Sequence, residues 1–462
     1  MAPIKPRIPP GTRDFTALEV RQRAWVIDRI RGVFERFGFE PIETPTLEFF
    51  ETLKGKLGEE GEQLIFKVLR RGTALEDLRL GRVAAVTVSD YDEVVDYALP
   101  YDLTVPFSRF LAMHPDQPLP FKRYQIQRVW RADKPQRGRY REFCQCDVDV
   151  AGTSSMLADA EVIAVTIEAL GDLGFRDFHT RIGHRKIFDG LVESAGGAEH
   201  FRALCTAVDK LDKIGLDGVR EEIAQRGVPA QVGDALLARI TREGPAEELL
   251  GEMERTLAGT RQGIAGVSEM RELLALLAAQ GVPAGHVRFD PGLARGLDYY
   301  TGPVYESVVT RPAIGSLSGG GRYDELIGRF TGTPLPATGT SLGLERIIDV
   351  MRELEMLPAR PGATEVLVTI FDAASQAAAL GLASELRRAG FRTEVPLKPA
   401  KGLKPQIAYA SEKGIPLLGI LGPDEIAAGT VTLRAGPGNQ RRVPRDQVIT
   451  EVRAFLAAIR PE

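Results

Sequence analysis

The spacing of apolar positions along the chain changes several times, and each change marks a different kind of element. Near the start, Ile27, Ile30, Phe34 and Phe37 recur on one helical face, Thr16 and Glu19 form a capping box ahead of them, and Gly38 closes the run. The stretch FEPIETPTLE reads as a strand interrupted by Pro41 and Pro45, which suits an edge or an interface and not a sheet centre. Between about Leu99 and Gly152 the pattern predicts strands joined by charged turns. There FKRYQIQRVW and REFCQCDVDV both alternate, and WRADKPQRGRY links them as the long basic loop of an antiparallel hairpin. From about Lys186 to Gly281 the residues are rich in Ala, Leu, Glu and Lys at helical spacing, as in a separate helical insertion. Strand patterns resume in HVRFDPGLARGLDYYTGPVYESVVT, and a helix is expected at about Gly343 to Met356. LPARPGAT has the composition of a linker. Beyond it EVLVTIF, ASQAAALGLASELRRAG, FRTEVPL, LKPQIAYASEKG and IPLLGILG alternate strand with helix, predicting a compact α/β module on a parallel sheet.

Composition narrows the class. A chain of 462 residues, 44% hydrophobic and 26% charged, predicts a soluble protein of two or three domains. The N-terminus lacks the apolar core of a signal peptide and no stretch is apolar for long enough to span a bilayer, so a cytoplasmic protein without a membrane partner is expected. Three cysteines make neither a disulfide framework nor a four-thiolate zinc site, and Cys144 and Cys146 are most simply reduced thiols on one face of a strand. No metal ligands are assigned. A formal net charge of −4 argues against a protein that coats nucleic acid, although from Thr364 onward 13 Lys/Arg face 10 Asp/Glu. Nucleic-acid contact would have to be local.

The candidate chemistry sits in the hairpin. Arg128, Arg131, Lys134, Arg137, Arg139 and Arg141 crowd a short span. In an alternating strand Arg139 and Arg141 would share a face, and converging guanidinium forks suit a polyphosphate, with Phe143 placed to stack a base. A solvated basic loop accounts for the charge equally well. The acids that follow, with Gln145, Asp147 and Asp149 in an apolar–polar alternation, favour a ligand, because a half-buried carboxylate needs a donor or a cation. Asp102 and Thr104 in YDLTVPF suit either an ammonium group or a turn cap. SGGGRYDELIGRF matches neither the P-loop nor the dinucleotide fingerprint and reads as close backbone packing beside a ligand. In ATGTSLGLERI a glycine precedes Arg346 at a helix start, where a phosphate can approach.

Taken in order, FEPIETPTLE, FKRYQIQRVWRADKPQRGRYREF, RGLDYYTG, GGGRYD and TGTSLGLERI resemble the signatures of class II aminoacyl-tRNA synthetases, and within them the histidyl-tRNA synthetase family. The similarity runs from PRIPPGTRDF to the terminal module and is weakest in the helical insertion. It implies an α+β fold, with a class II catalytic domain whose antiparallel sheet is flanked by helices, a helical insertion, and a C-terminal α/β anticodon-binding domain. The boundaries implied are 1–185 and 286–356 for the two parts of the catalytic core, 186–285 for the insertion, 357–363 for the linker and 364–462 for the anticodon-binding domain.

The resemblance also assigns roles. Arg131 and Arg295 match the catalytic arginines that clamp the α-phosphate. Asp102, Leu103, Thr104, Arg131, Gln145, Asp149, Arg295, Tyr299 and Tyr300 match the histidine-binding positions, with Asp149 and Tyr300 reading the imidazole. Arg131, Asp133, Arg139, Arg141, Phe143 and Arg346 match the ATP-binding positions, and Lys134 and Gln136 face the tRNA acceptor end. Pro45 matches a residue of the dimer interface. A homodimeric ligase is implied, joining histidine to its tRNA with ATP and Mg²⁺. Pro100, Gly183 and Asp133 depart from the family pattern, and TLRAGPGNQRR departs from the usual hairpin of the terminal domain. The rival is a non-catalytic paralogue that regulates histidine biosynthesis, but such relatives typically lose the clamp arginines and the terminal module. An unrelated ATP-dependent ligase would leave the Tyr-Tyr pair and Asp149 to coincidence.

Overall fold

The computed structural model describes residues 4–54, 62–69, 94–293, 300–358, 363–397, 402–436 and 438–459. Arg295 and Tyr299 lie outside these residues. The chain forms two compact units, one of residues 1–14 with 22–357, the other of residues 15–21 with 358–462.

The strands of the larger unit are β1 (Glu40–Pro41), β2 (Glu48–Phe49), β3 (Lys67–Leu69), β4 (Val95–Ala98), β5 (Phe121–Trp130), β6 (Glu142–Ala151), β7 (Phe178–His184), β8 (Val287–Phe289), β9 (Pro303–Val309), β10 (Ser316–Arg322) and β11 (Ala337–Gly343). Eight of them form one sheet in the order β1-β5-β6-β11-β10-β9-β7-β8, and β2, β4 and β3 form a small second sheet. The large sheet is antiparallel except at its two edges, where β1 runs parallel to β5 and β8 parallel to β7. Pro41, without an N–H to give a ladder, stands in an edge strand, as its chemistry requires.

The helices of this unit are α1 (Ala17–Arg36), α2 (Phe50–Leu53), α3 (Thr104–Met113), α4 (Met156–Asp172), α5 (Arg185–Ser194), α6 (Phe201–Val208), α7 (Leu211–Gln225), α8 (Ala230–Ile240), α9 (Ala246–Thr256), α10 (Arg261–Ala279), α11 (Gly328–Thr331) and α12 (Leu344–Glu353). The capping box on α1 is present: the Thr16 N–H donates to Glu19 Oε2 at 2.8 Å and the Glu19 N–H to Thr16 Oγ1 at 3.4 Å. Helix α4 is apolar on most sides because it lies between the sheet and α10, and its apolar residues join a core that runs from α1 through the sheet into α5–α10. Cys144, Cys146, Val148 and Val150 turn one face of β6 into that core. The three cysteines are buried and none is in a disulfide.

The smaller unit carries β12 (Val366–Val368), α13 (Gln376–Arg388), β13 (Thr393–Glu394), α14 (Lys404–Glu412), β14 (Leu417–Ile420), α15 (Pro423–Ala428), β15 (Thr430–Arg434), β16 (Gln440–Pro444) and α16 (Val448–Ile459). Its sheet order is β13-β12-β14-β15-β16. The first three strands are parallel, as their alternation with helices dictates. The last two are antiparallel, which corrects the expectation of a parallel sheet: Thr430 to Arg434 pair with Gln440 to Pro444 as a hairpin, with Gly436 and Gly438 at positive φ.

Candidate active site

The site is built on the face of β5, β6, β11 and β10 that turns away from the apolar core. Residues two apart on β6 share a face, so with Cys144 and Cys146 committed to the core, Gln145, Asp147 and Asp149 must point the other way. The register completes the set. Asp149 lies between Arg123 of β5 and Gly339 of β11, Asp147 between Gln125 and Ser341, and Gln145 between Gln127 and Gly343.

Two cavities open on this face, and both are lined by Arg131, Gln145, Gly319 and Ser341. The first, about 210 Å³, is basic and aromatic. Its walls include Asp133, Gly138, Arg139, Tyr140, Phe143, Glu345 and Arg346. The second, about 260 Å³, is acidic and is closed by Tyr101, Asp102, Thr104, Asp147, Asp149, Tyr300, Tyr323 and Thr340. Arg131 stands between them. Its Nε donates to Tyr101 O at 3.0 Å, and its guanidinium lies 4.1 Å from the Tyr101 ring centroid and 5.1 Å from that of Phe143. Packing against two rings holds the fork in place without neutralising its charge.

Arg346, in the first turn of α12, donates to Gly138 O at 2.9 Å and Ser316 O at 2.8 Å, tying the hairpin loop to the start of β10. Tyr140 donates to Asp349 on the same helix. Glu345 braces the floor from below, accepting the Cys144 N–H at 2.8 Å and pairing with Arg23 at 2.8 Å.

The acidic cavity is held by buried charge. Arg123 is completely buried, with its Nη2 2.7 Å from Asp149 Oδ2 and 3.9 Å from Asp147 Oδ2. Its other contacts are Gln125 Oε1, Leu103 O and the Phe107 ring. Tyr323 donates its hydroxyl to Asp149 Oδ1. Burial raises the carboxyls of Asp102, Asp147 and Asp149, with Arg123 opposing it in each case, and Asp147 is pushed up to about 7.

The glycines of SGGGRYD supply room, as the sequence indicated. A Cβ on Gly320 would overlap Gly339 O, and one on Gly321 would come within 2.9 Å of the Tyr300 ring. The same motif supplies the frame. Arg322 forms a buried ion pair with Asp159 of α4, and Asp324 accepts the Thr301 hydroxyl at 2.9 Å, next to Tyr300.

Several expectations need correction. Asp102 and Thr104 are not on a strand: Thr104 begins α3, and Asp102 Oδ1 accepts the Val105 N–H at 3.1 Å, the capping arrangement that was one of the two readings. Both still line the acidic cavity. Leu103 is buried and outside the lining, with its carbonyl accepting from Arg123. Arg139 and Arg141 do not share a strand face, because β6 begins only at Glu142. Arg139 reaches the basic cavity, whereas Arg141 turns back to donate to Asp133 O at 3.1 Å and is absent from the lining. Lys134 and Gln136 are exposed at the tip of the loop. Arg123, Tyr323, Ser341 and Glu345 were missed. The signal for Arg123 was available, since Arg123, Gln125 and Gln127 repeat polar groups every second residue opposite Asp149, Asp147 and Gln145.

A family model described as histidyl-tRNA synthetase matches residues 73–347, and one described as anticodon binding domain matches residues 365–455. The chain belongs to the histidyl-tRNA synthetase family. It is 44% identical over 448 residues to a protein of Gloeobacter violaceus named histidine–tRNA ligase, covering 92% of this chain and 93% of that one. Among solved structures, a histidyl-tRNA synthetase from Nostoc sp. PCC 7120 superposes with a TM-score of 0.80 at 30% identity, covering 98% of this chain and all of that one. A Bacillus halodurans structure, titled as an ATP phosphoribosyltransferase regulatory subunit/histidyl-tRNA synthetase, superposes with a TM-score of 0.71 at 25% identity, over 89% of this chain and 97% of that one. The α+β class II architecture inferred from the family signatures holds.

Proposed function

We propose that the chain is a histidine–tRNA ligase. It activates histidine with ATP to histidyl-adenylate and pyrophosphate, then transfers the histidyl group to the 3′ end of its tRNA. The observation that carries this reading is the pair of adjoining cavities, one basic and one acidic, with Arg131 on their common wall.

ATP occupies the basic cavity, with its base against Phe143, the α-phosphate at Arg131 and the outer phosphates at Arg139 and Arg346; Asp133 flanks the base. Histidine occupies the acidic cavity. Its ammonium lies at Asp102 and Thr104 beside Gln145, its ring at Asp149 and Tyr300, and its carboxylate points to Arg131. In-line attack of that carboxylate on phosphorus needs alignment and charge stabilisation more than a strong base. Arg131 supplies both, and by family resemblance Arg295 matches the second clamp arginine and Tyr299 a residue of the histidine pocket. Lys134 and Gln136, at the exposed loop tip, meet the tRNA acceptor end.

Among the described residues no group of three or more His, Cys, Asp or Glu is arranged to hold a metal ion. Both Glu345 oxygens are engaged, by Cys144 and Arg23. That donor set fits Mg²⁺ carried in by the triphosphate and its waters, supplying charge neutralisation there, better than a resident ion. No helix among the described residues is long and apolar enough to cross a membrane. Three buried cysteines outside any disulfide suit the reducing cytoplasm, and by family resemblance the form proposed there is a homodimer.

The regulatory rival would need no adenylate chemistry, yet Arg131, Arg346 and the terminal domain are all kept. The deciding experiment is amino-acid-dependent ATP–pyrophosphate exchange, with each standard amino acid tried in turn. Exchange with histidine alone is the expected outcome. No exchange from folded protein with Mg²⁺ would favour the regulatory role, and exchange with another amino acid would overturn the pocket assignment.

A further inference from the structure

The acids at the floor of the second cavity outnumber the cation behind them. Asp147 and Asp149 stand side by side on β6 with Arg123 fully buried against them, nearer to Asp149 by more than an ångström. Tyr323 also donates to Asp149. Asp147 Oδ1, by contrast, is buried with no hydrogen-bond partner among the described residues, and so are Gln145 Oε1 and Thr340 Oγ1 in the same cavity. The charged and polar groups around Asp147 are Arg123 and Gln125 from β5, Asp149 from β6, Ser341 from β11 and Asp102 from the turn before α3, with Arg131 and Tyr300 farther round the wall. One guanidinium compensates one carboxylate. The pair therefore holds on to a proton, and it resides on the member with fewer donors.

A neutral imidazole presents one N–H donor and one bare nitrogen acceptor. Tyr300 on the wall is the rival hydroxyl donor to that nitrogen; on the floor, two ionised carboxylates would leave it facing lone pairs. We propose that Asp147 is a specificity-determining residue that carries a proton into the complex and donates it to one ring nitrogen of histidine, while Asp149, held ionised by Arg123 and Tyr323, accepts the N–H of the other. This rests on the histidine-activating reading above. The proton count is the same whether the proton stays on Asp147 or passes to the ring, since both forms hold one proton between carboxyl and nitrogen.

The pocket has that proton below about 7, the value to which burial pushes Asp147, and loses it above. Binding at higher pH then requires proton uptake, so histidine affinity falls roughly tenfold for each pH unit. A phenol keeps its proton to about pH 10, so such a fall does not belong to Tyr300.

The test compares wild type, Asp147→Asn and Asp147→Ala in the full chain from pH 6 to 8.5. The readouts are KM for histidine in ATP–pyrophosphate exchange and equilibrium dialysis of labelled histidine. Wild-type affinity is expected to fall above about pH 7. Asp147→Asn, whose amide donates without titrating, is expected to stay near the wild-type value of pH 6 across the range. Asp147→Ala is expected to bind about 10- to 100-fold more weakly at pH 6, with no step near 7. The substrate's own titrations, of its ring at about 6.5 and of its ammonium at higher pH, enter all three profiles alike. Parallel profiles for wild type and Asp147→Asn, or wild-type affinity in Asp147→Ala, would overturn the inference while leaving the function standing. Wild type without histidine-dependent exchange would remove both.

Discussion

A single missing side chain shows how tightly the acidic cavity is specified. Gly339 lies directly across from Asp149, and a Cβ there would overlap Asp149 Oδ1. Gly339→Ala must displace the carboxylate from Arg123 and from the ring it is proposed to read. We expect at least a hundredfold rise in KM for histidine, which corresponds to about 2.8 kcal/mol of lost binding, with secondary structure retained by circular dichroism. Gly381, inside α13, gives the contrast. Nothing lies within 4 Å of a Cβ there, so Gly381→Ala should leave KM unchanged and raise stability by up to about 1 kcal/mol. Equal effects at the two positions would mean that the crowding around Asp149 is not functional. Gly183 fits the same logic: a Cβ there would lie 2.5 Å from Leu293 O, so this departure from the family pattern leaves room for the chain just ahead of the segment bearing Arg295.

Among elements, legibility followed the range of the forces. The hairpin β5–β6 was plain because alternation is local, and its two strands run Phe121–Trp130 and Glu142–Ala151 as the quoted stretches indicated. Helix α3 was hidden because Pro106 falls in its first turn, where proline is tolerated although it reads as a breaker elsewhere. Arg123 was legible only through its pairing across the hairpin, since burial of a guanidinium depends on a carboxylate from the next strand. The same holds for α10, whose Glu269 pairs with Lys186 at the start of α5 and lies 3.0 Å from His184 Nε2. Burial alone would raise Glu269, but His184 and Lys186 outweigh it and hold the carboxyl at about 2. A depressed acid stabilises the fold above its unfolded value near 4.5 and loses that contribution as pH falls toward 2. Discounted for its partial exposure, Glu269→Gln should cost about 1–2 kcal/mol at pH 7 by urea denaturation. The gap from wild type should shrink between pH 5 and pH 3, and a gap that widens in acid would contradict this pairing.

For the molecule as a whole, the small sheet poses the open problem. One side of β2–β4–β3 packs on Phe50, Leu53, Val95, Ala98 and Val105, a closed apolar cluster. On the other, Phe49 and Tyr97 are cross-strand partners with ring centroids 5.3 Å apart, yet they remain 56% and 41% exposed, and Leu47 nearby is 49% exposed. Apolar groups gathered in this way usually mark a contact surface. Pro45, which the family signatures place at a subunit interface, lies just before them. If a second copy covers this face, the folded state is linked to association and its apparent stability must rise with protein concentration. Light scattering should then give a wild-type mass near twice the 50.5 kDa of the chain, and a melting temperature that increases across a hundredfold concentration series. Phe49→Glu places a charge in the middle of the patch, where burial without a partner is costly. It should shift the mass toward 50.5 kDa and flatten the concentration dependence, whereas the same substitution at exposed Leu397, in the smaller unit, should change neither. A dimer that survives Phe49→Glu with unchanged concentration dependence would move the interface away from this sheet.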